Sequence, residues 1–137
     1  FMEVPFTYNN MPGWDADANN DGTLDSFDRN NAYIPKGSII QEAKIHVITP
    51  FTTSTSGALQ IGTYQADGTV IDADGIDVAI AVTALDAVGE TVNCDGAQIN
   101  AVMSATLDGY VRVYPSTGSF TAGAATLFIK FVTPISS

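Results

Sequence analysis

The chain has 137 residues, 45% hydrophobic and 15% charged, with 15 acidic residues against 5 basic ones and a formal net charge of -10. That length fits one domain with one real core, and the apolar content is too high for a disordered chain. The acidic balance argues against a nucleic-acid binder or an anionic-lipid surface. The longest nearly apolar stretch, 78–88, contains Asp86 and is too short to span a bilayer.

The chain opens Phe1-Met2, and Glu3 and Pro5 stand where a secretory segment would be basic and then apolar. Residues 9–33 form a polar excursion rich in Asn, Asp and Gly that holds five of the twelve aspartates. From Ile34 onward, short β-type runs alternate with turn residues. Ile39 to Thr49 is the first clear strand, with Ala43, Ile45, Val47 and Thr49 on one face and Lys44, His46 and Ile48 on the other. His46, the lone histidine, reads as a surface residue, and Pro50 reads as the end of the run. Thr52 to Gly57 is a small-residue loop before a second strand, Ala58 to Tyr64.

Asp67-Gly68 is a hairpin signal, with Val70-Ile71 returning. Asp72 to Asp77 reads as a further acidic turn. It lacks a full ligand set, so a second cation site there is the lesser reading. Ile76 to Val88 reads as a short strand plus loop. Glu90 to Ile99 and Ala101 to Leu107 are weaker strands. Cys94, the lone cysteine, reads as a small buried residue and permits no internal disulfide. Tyr110 to Tyr114 alternates cleanly, Pro115 to Gly118 is a turn, and Ala125 to Thr133 closes the chain as a strand. The expected core is Ile45, Val47, Leu59, Ile61, Val111, Val113, Leu127, Ile129 and Phe131.

About eight short strands at regular spacing, with no convincing amphipathic helix between them, indicate an all-β fold. The expectation is a single antiparallel β-sandwich, jelly-roll-like, over residues 1–137, with its body at 34–133 and a long N-terminal loop excursion.

Residues 17–28 carry the EF-hand loop pattern with Asp in place of the final Glu. Asp17, Asn19 and Asp21 take the first, third and fifth positions, and Gly22 supplies the sharp turn. Thr23 offers its backbone carbonyl at the seventh, Asp25 stands ninth and Asp28 twelfth. Calcium takes six to eight oxygens, and alternate positions of a tight loop aim them inward. Close carboxylates would repel one another without a cation. The plain alternative is an Asn/Asp/Gly-rich surface loop with Asx turns. The loop resembles that of dockerin modules, which also carry Asp at the twelfth position. Here there is one such loop, and Pro35 cuts off any following helix, so cohesin binding is not implied. The expectation is one structural calcium ion, with Trp14 and Phe27 packing the loop on the body.

The body resembles small structural proteins of tailed, especially marine, bacteriophages. The residues that carry this are Ile34-Pro35-Lys36-Gly37-Ser38-Ile39-Ile40, Ile48-Thr49-Pro50-Phe51 and Leu59-Gln60-Ile61-Gly62-Thr63-Tyr64. Ala66-Asp67-Gly68-Thr69-Val70-Ile71-Asp72-Ala73-Asp74-Gly75 follows, then Phe120-Thr121-Ala122-Gly123 before the last strand. The resemblance covers residues 34–133 and implies a β-sandwich or jelly-roll unit on the virion exterior, as head decoration (cement) or fibre component. It implies copies of itself and a major capsid or other virion protein as partners, a trimer being the favoured oligomer, and no enzymatic activity. Tyr110, Arg112 and Tyr114 on one outer face, with Phe128 and Val132 on another strand, are the expected partner interface, because Tyr and Arg are enriched in interface cores. The alternatives are a fibre or appendage domain that binds a host glycan or receptor, and a calcium-dependent surface-layer or adhesin domain. A glycosidase would need two carboxylates about 5–10 Å apart in a cleft, whereas the acids here cluster in turns.

Overall fold

The computed structural model describes residues 2–12, 14–15, 25–26, 32–53, 56–65, 69–117 and 120–133. In chain order its strands are β1 (Met2–Thr7), β2 (Asn10–Met11), β3 (Trp14–Asp15), β4 (Asp25–Ser26), β5 (Tyr33–Ile34) and β6 (Ile39–Thr53). Then come β7 (Ala58–Tyr64), β8 (Val70–Ala81), β9 (Thr91–Asn93), β10 (Ala101–Val102), β11 (Gly109–Thr117) and β12 (Phe120–Val132). A single 3-10 turn, Val82–Ala84, follows β8. One sheet runs β10-β6-β12-β1-β2-β3-β4, with β9 also on β6; the other runs β5-β11-β7-β8. All strand pairs among the described residues are antiparallel, and the two sheets pack face to face as an all-β sandwich.

The alternating runs explain why. In β6, β11 and β12 every second side chain is apolar, so one face of each strand can leave water. Ile45, Val47, Leu59, Ile61, Val111, Val113, Leu127 and Ile129 are all buried. Phe131 points inward but is only half-buried, because it stands at the strand end. Ile40 enters the core although its spacing from Ala43 breaks the alternation. Lys130 faces Glu42 and Phe131 faces Ile40, so Gln41 is an extra residue that resets the parity.

Three expected breaks are not strand ends. β6 continues through Pro50 to Thr53, and β11 through Pro115 to Thr117. Thr49 pairs with Ala124 and Thr52 with Ala122, so Pro50 and Phe51 face Gly123 alone in a bulge, where a proline costs no ladder bond. Asp72 to Asp77 is not a turn between elements but an interior stretch of β8. Thr63 pairs with Asp72 and Ile61 with Asp77, so β8 carries a wide bulge opposite Gly62. A Cβ at Gly62 would stand 2.2 Å from the Ala73 carbonyl oxygen, which only glycine allows. Glu90–Ile99 and Ala101–Leu107 contain strands only at β9 and β10.

The N-terminal region is not a plain loop. Val4 and Phe6 enter the core from β1, which extends the eight-stranded sheet beside β12. β2, β3 and β4 continue that sheet, and β5 joins the other. The Val113 amide donates to the Pro12 carbonyl and the Val111 amide to the Ala32 carbonyl, both at 2.9 Å. The flanks of the polar stretch therefore close one side of the sandwich along β11.

Candidate interaction surfaces

The pairing of β3 with β4 sets Asp15 opposite Asp25, so residues 16–24 connect the two strands of one hairpin. Of the expected calcium ligands, Asp25 lies in β4; Asp17, Asn19, Asp21, Thr23 and Asp28 lie outside the described residues, as does Phe27. Among the described residues no group of three or more His, Cys, Asp or Glu side chains is placed to hold a metal.

Tyr110, Arg112 and Tyr114 share the outer face of the four-stranded sheet, since Val111 and Val113 point inward. The register sets Tyr33, Tyr110 and Tyr64 in one cross-strand row. The Tyr33 and Tyr110 rings stand 5.3 Å apart at 45°. Arg112 faces Gly62, so no side chain opposes it, and its guanidinium lies 5.0 Å from the Tyr64 ring and 4.7 Å from the Tyr114 ring. Each such contact contributes about 0.5–1 kcal/mol at a partly wet site. Burial, then a hydrogen bond to Tyr64, pushes the Tyr114 hydroxyl above its usual range. At the row's end the Lys36 amide donates to Asp108 Oδ1 at 2.9 Å. That bond, helped by the Tyr33 hydroxyl, holds the Asp108 carboxyl below its ordinary value. The bulge of β8 adjoins this face, where Gln60 Nε2 donates to the Ala73 carbonyl at 3.0 Å.

Phe128 and Val132 lie on the outer face of the other sheet, so the expected interface residues form two surfaces on opposite sides of the sandwich. Lys44, His46, Thr91 and Phe128 line an open depression of ≈ 470 Å³. Glu42, Lys44, Phe128 and Lys130 line a smaller one of ≈ 170 Å³ beside it. His46 is exposed, as expected, with Nδ1 3.2 Å from Thr91 Oγ1. Lys44 Nζ pairs with Glu42 Oε1 at 2.9 Å, and that pairing holds the Glu42 carboxyl below its ordinary value.

Sequence reasoning missed Tyr33 and Asp108 on the first surface, and Tyr64, which shares the row but is itself buried. Tyr64 was within reach, because Gln60, Gly62 and Tyr64 share a parity opposite Leu59 and Ile61. Tyr33 was not, since β5 spans two residues with no period to read. Cys94 is buried as expected; burial, with Asp77 and Asp95 nearby, pushes its thiol up to about 12, which leaves it unreactive at neutral pH.

These features define an all-β sandwich with two broad outer faces, one aromatic and one of mixed charge. A solved structure described as "Capsid of Ralstonia phage GP4" has a similar fold, with a TM-score of 0.55 and 16% sequence identity over 98% of this chain and 85% of that one. At that identity the likeness is one of fold. No family model matches the chain, and no curated protein does.

Proposed function

We propose that the chain is a non-enzymatic structural protein of a phage virion, a decoration or cement subunit that coats the outside of the head. The observation that carries this reading is the likeness in fold, along 98% of the chain, to a structure described as a phage capsid. The body motifs at 34–133 support it independently. A coat subunit works by repeated contacts, and the molecule offers two broad faces for them. On this reading the chain binds a major capsid protein and copies of itself, as a trimer held through Tyr110, Arg112 and Tyr114. Its net charge of -10 keeps the subunit soluble and away from packaged DNA. Residues 17–28 hold one structural calcium ion through Asp17, Asn19, Asp21, Thr23, Asp25 and Asp28.

Quantitative mass spectrometry of purified particles tests the role. A coat subunit is present in copy numbers comparable with the major capsid protein, and stripping it lowers the temperature at which heads release DNA. A handful of copies per particle would contradict it.

The Tyr33–Tyr110 pair favours one second reading, a fibre domain that stacks a host glycan on its rings. Glycan-array binding lost in Tyr33→Ala and Tyr110→Ala would select that reading.

A further inference from the structure

After β9 the chain leaves the eight-stranded sheet, crosses to the edge of the other sheet and returns. The Cys94 amide donates to the Ala43 carbonyl of β6 at 2.8 Å, and the Asn100 amide to the Ile40 carbonyl at 2.6 Å. Between those anchors the Gly96 amide donates to the Ile76 carbonyl and the Gln98 amide to the Gly75 carbonyl, both at 2.7 Å, along the outer edge of β8. The Gln98 side chain turns inward. It is 6% exposed, accepts from Thr63 Oγ1 at 2.9 Å and donates to the Met103 carbonyl at 3.0 Å. Asp77 of β8 lies beneath this crossing, buried. Cys94 and Asp95 are the ionisable groups that face it, and Ile61 is its neighbour on β7. Its carboxylate accepts the Ala79 amide at 3.0 Å and the Asp95 amide as well.

We propose that residues 94–98 are a strap that lifts off β8 as a unit while the sandwich stays folded, and that the charge on Asp77 sets how often it does so. The strap is held mainly by hydrogen bonds. Of its side chains Cys94 alone belongs to the apolar core, whereas Asp95 and Ala97 are exposed and Gly96 has no side chain. A segment with few buried apolar contacts opens at a smaller free-energy cost than the strands beneath it. Closing the strap takes the Asp77 carboxylate out of water and sets the charge of Asp95 beside it, and both disfavour the ionised form. Opening returns Asp77 to water and to an ordinary value of about 4. The closed strap therefore holds the Asp77 proton more tightly than the open one. Closure is favoured most below about pH 4 and weakens as pH rises through the closed-state value. The strap is a clasp that tightens in mild acid and loosens toward neutral pH, where it bares the Gly75 and Ile76 carbonyls on the sheet edge. It belongs to the chain alone and does not depend on a place in a virion.

Cys94, the lone cysteine, is buried beneath the strap and reports its opening. The test is labelling of the native full chain with a pyridyl disulfide, which reacts in mild acid as well as at neutral pH. Each rate is divided by that of the urea-unfolded chain at the same pH, which cancels the ionisation of the free thiol and leaves the opening ratio. In low urea the ratio should hardly change with urea, because lifting a strap exposes little surface. It should rise several-fold from pH 5 to pH 8. Asp77→Asn should flatten that rise, and Asp95→Asn, an exposed change that leaves the fold intact, should reduce it. Gln98→Ala should raise the ratio by about tenfold, since Thr63 and Met103 then lose a buried partner. Labelling with the full urea dependence of global unfolding would overturn the proposal, because Cys94 would then be reached only through the unfolded chain. An opening ratio with the same pH profile in the wild type and in Asp77→Asn would overturn the role of the Asp77 charge.

Discussion

Ile129 and Phe131 sit two positions apart on one strand face, yet they differ in what their side chains contribute. Ile129 is fully buried, whereas Phe131 packs on the core's margin. Ile129→Ala should cost about 2–5 kcal/mol in urea unfolding, the lost transfer free energy of the removed atoms plus that of the cavity left behind. Phe131→Ala should cost less than Ile129→Ala despite removing more atoms, and the reverse order would show the strand end to be buried. Asp77 carries a pH dependence set by its burial. It is 4% exposed and accepts the Ala79 amide at Oδ1, 3.0 Å away. Burial first, and the charge of Asp95, push its carboxyl above the ordinary range. A native state that holds the proton more tightly than the unfolded chain is most stable below the unfolded value of about 4, and loses that stability as pH rises through the native value. Thermal melts should therefore show wild type gaining on Asp77→Asn as pH falls from 7 toward 4. Parallel pH profiles of the two proteins would contradict this. The single residues that were legible in sequence were those in long alternating runs, where one parity is apolar for five or more residues. Asp77 was not, because nothing local distinguishes a buried aspartate at a bulge from an aspartate in a turn.

At the scale of elements, the sequence signals for breaks proved to be signals for bulges. Proline lacks an amide donor and glycine tolerates unusual backbone, and a bulge uses the same two properties as a turn. Gly123 shows the dependence most sharply. Its φ is +139°, and a Cβ there would lie 2.2 Å from the Phe51 ring, which also packs edge-on against Phe120 at 5.7 Å. Phe51 is seated from both sides, since its amide donates to the Leu85 carbonyl at 2.8 Å. Gly123→Ala should thus strain the backbone and displace the ring together, at about 1–3 kcal/mol or more by thermal unfolding. Gly37→Ala is the control for conformation alone, with φ +82° and nothing within 4 Å of the added carbon, and it should cost less. Equal losses would mean that the Phe51 contact yields freely. The long strands β6, β7, β11 and β12 were legible because their periods run long enough to read. β1 carried the signal in Val4 and Phe6, but its pairing is with β12 at the other end of the chain, which no local pattern reveals.

At the scale of the whole molecule, the fold class followed from the count and spacing of strands, and the chain's closure along β11 did not. The polar stretch reads as an excursion because its composition is that of a loop, yet Pro12 and Ala32 within it supply the carbonyls that β11 needs. The two expected interface clusters were legible as residues but not as surfaces, since sequence does not tell which sheet a strand joins. The calcium proposal belongs to this scale as well, because an ion held only by the native state stabilises the entire fold. Saturating calcium at a hundredfold excess over Kd should add about 2.7 kcal/mol. Chelation should lower the melting temperature while the far-ultraviolet spectrum stays β-rich, and Asp21→Ala should abolish both the calorimetric heat and the shift. A melting temperature indifferent to calcium would contradict the site.

The central proposal is that the chain is an exterior coat protein of a phage head. Cryo-electron microscopy of the intact particle tests it most directly, by fitting the sandwich into density. The account predicts repeated copies on the outer surface of the head, in contact with the major capsid protein. Density for the chain confined to the end of a fibre, or none anywhere on the particle, would contradict it.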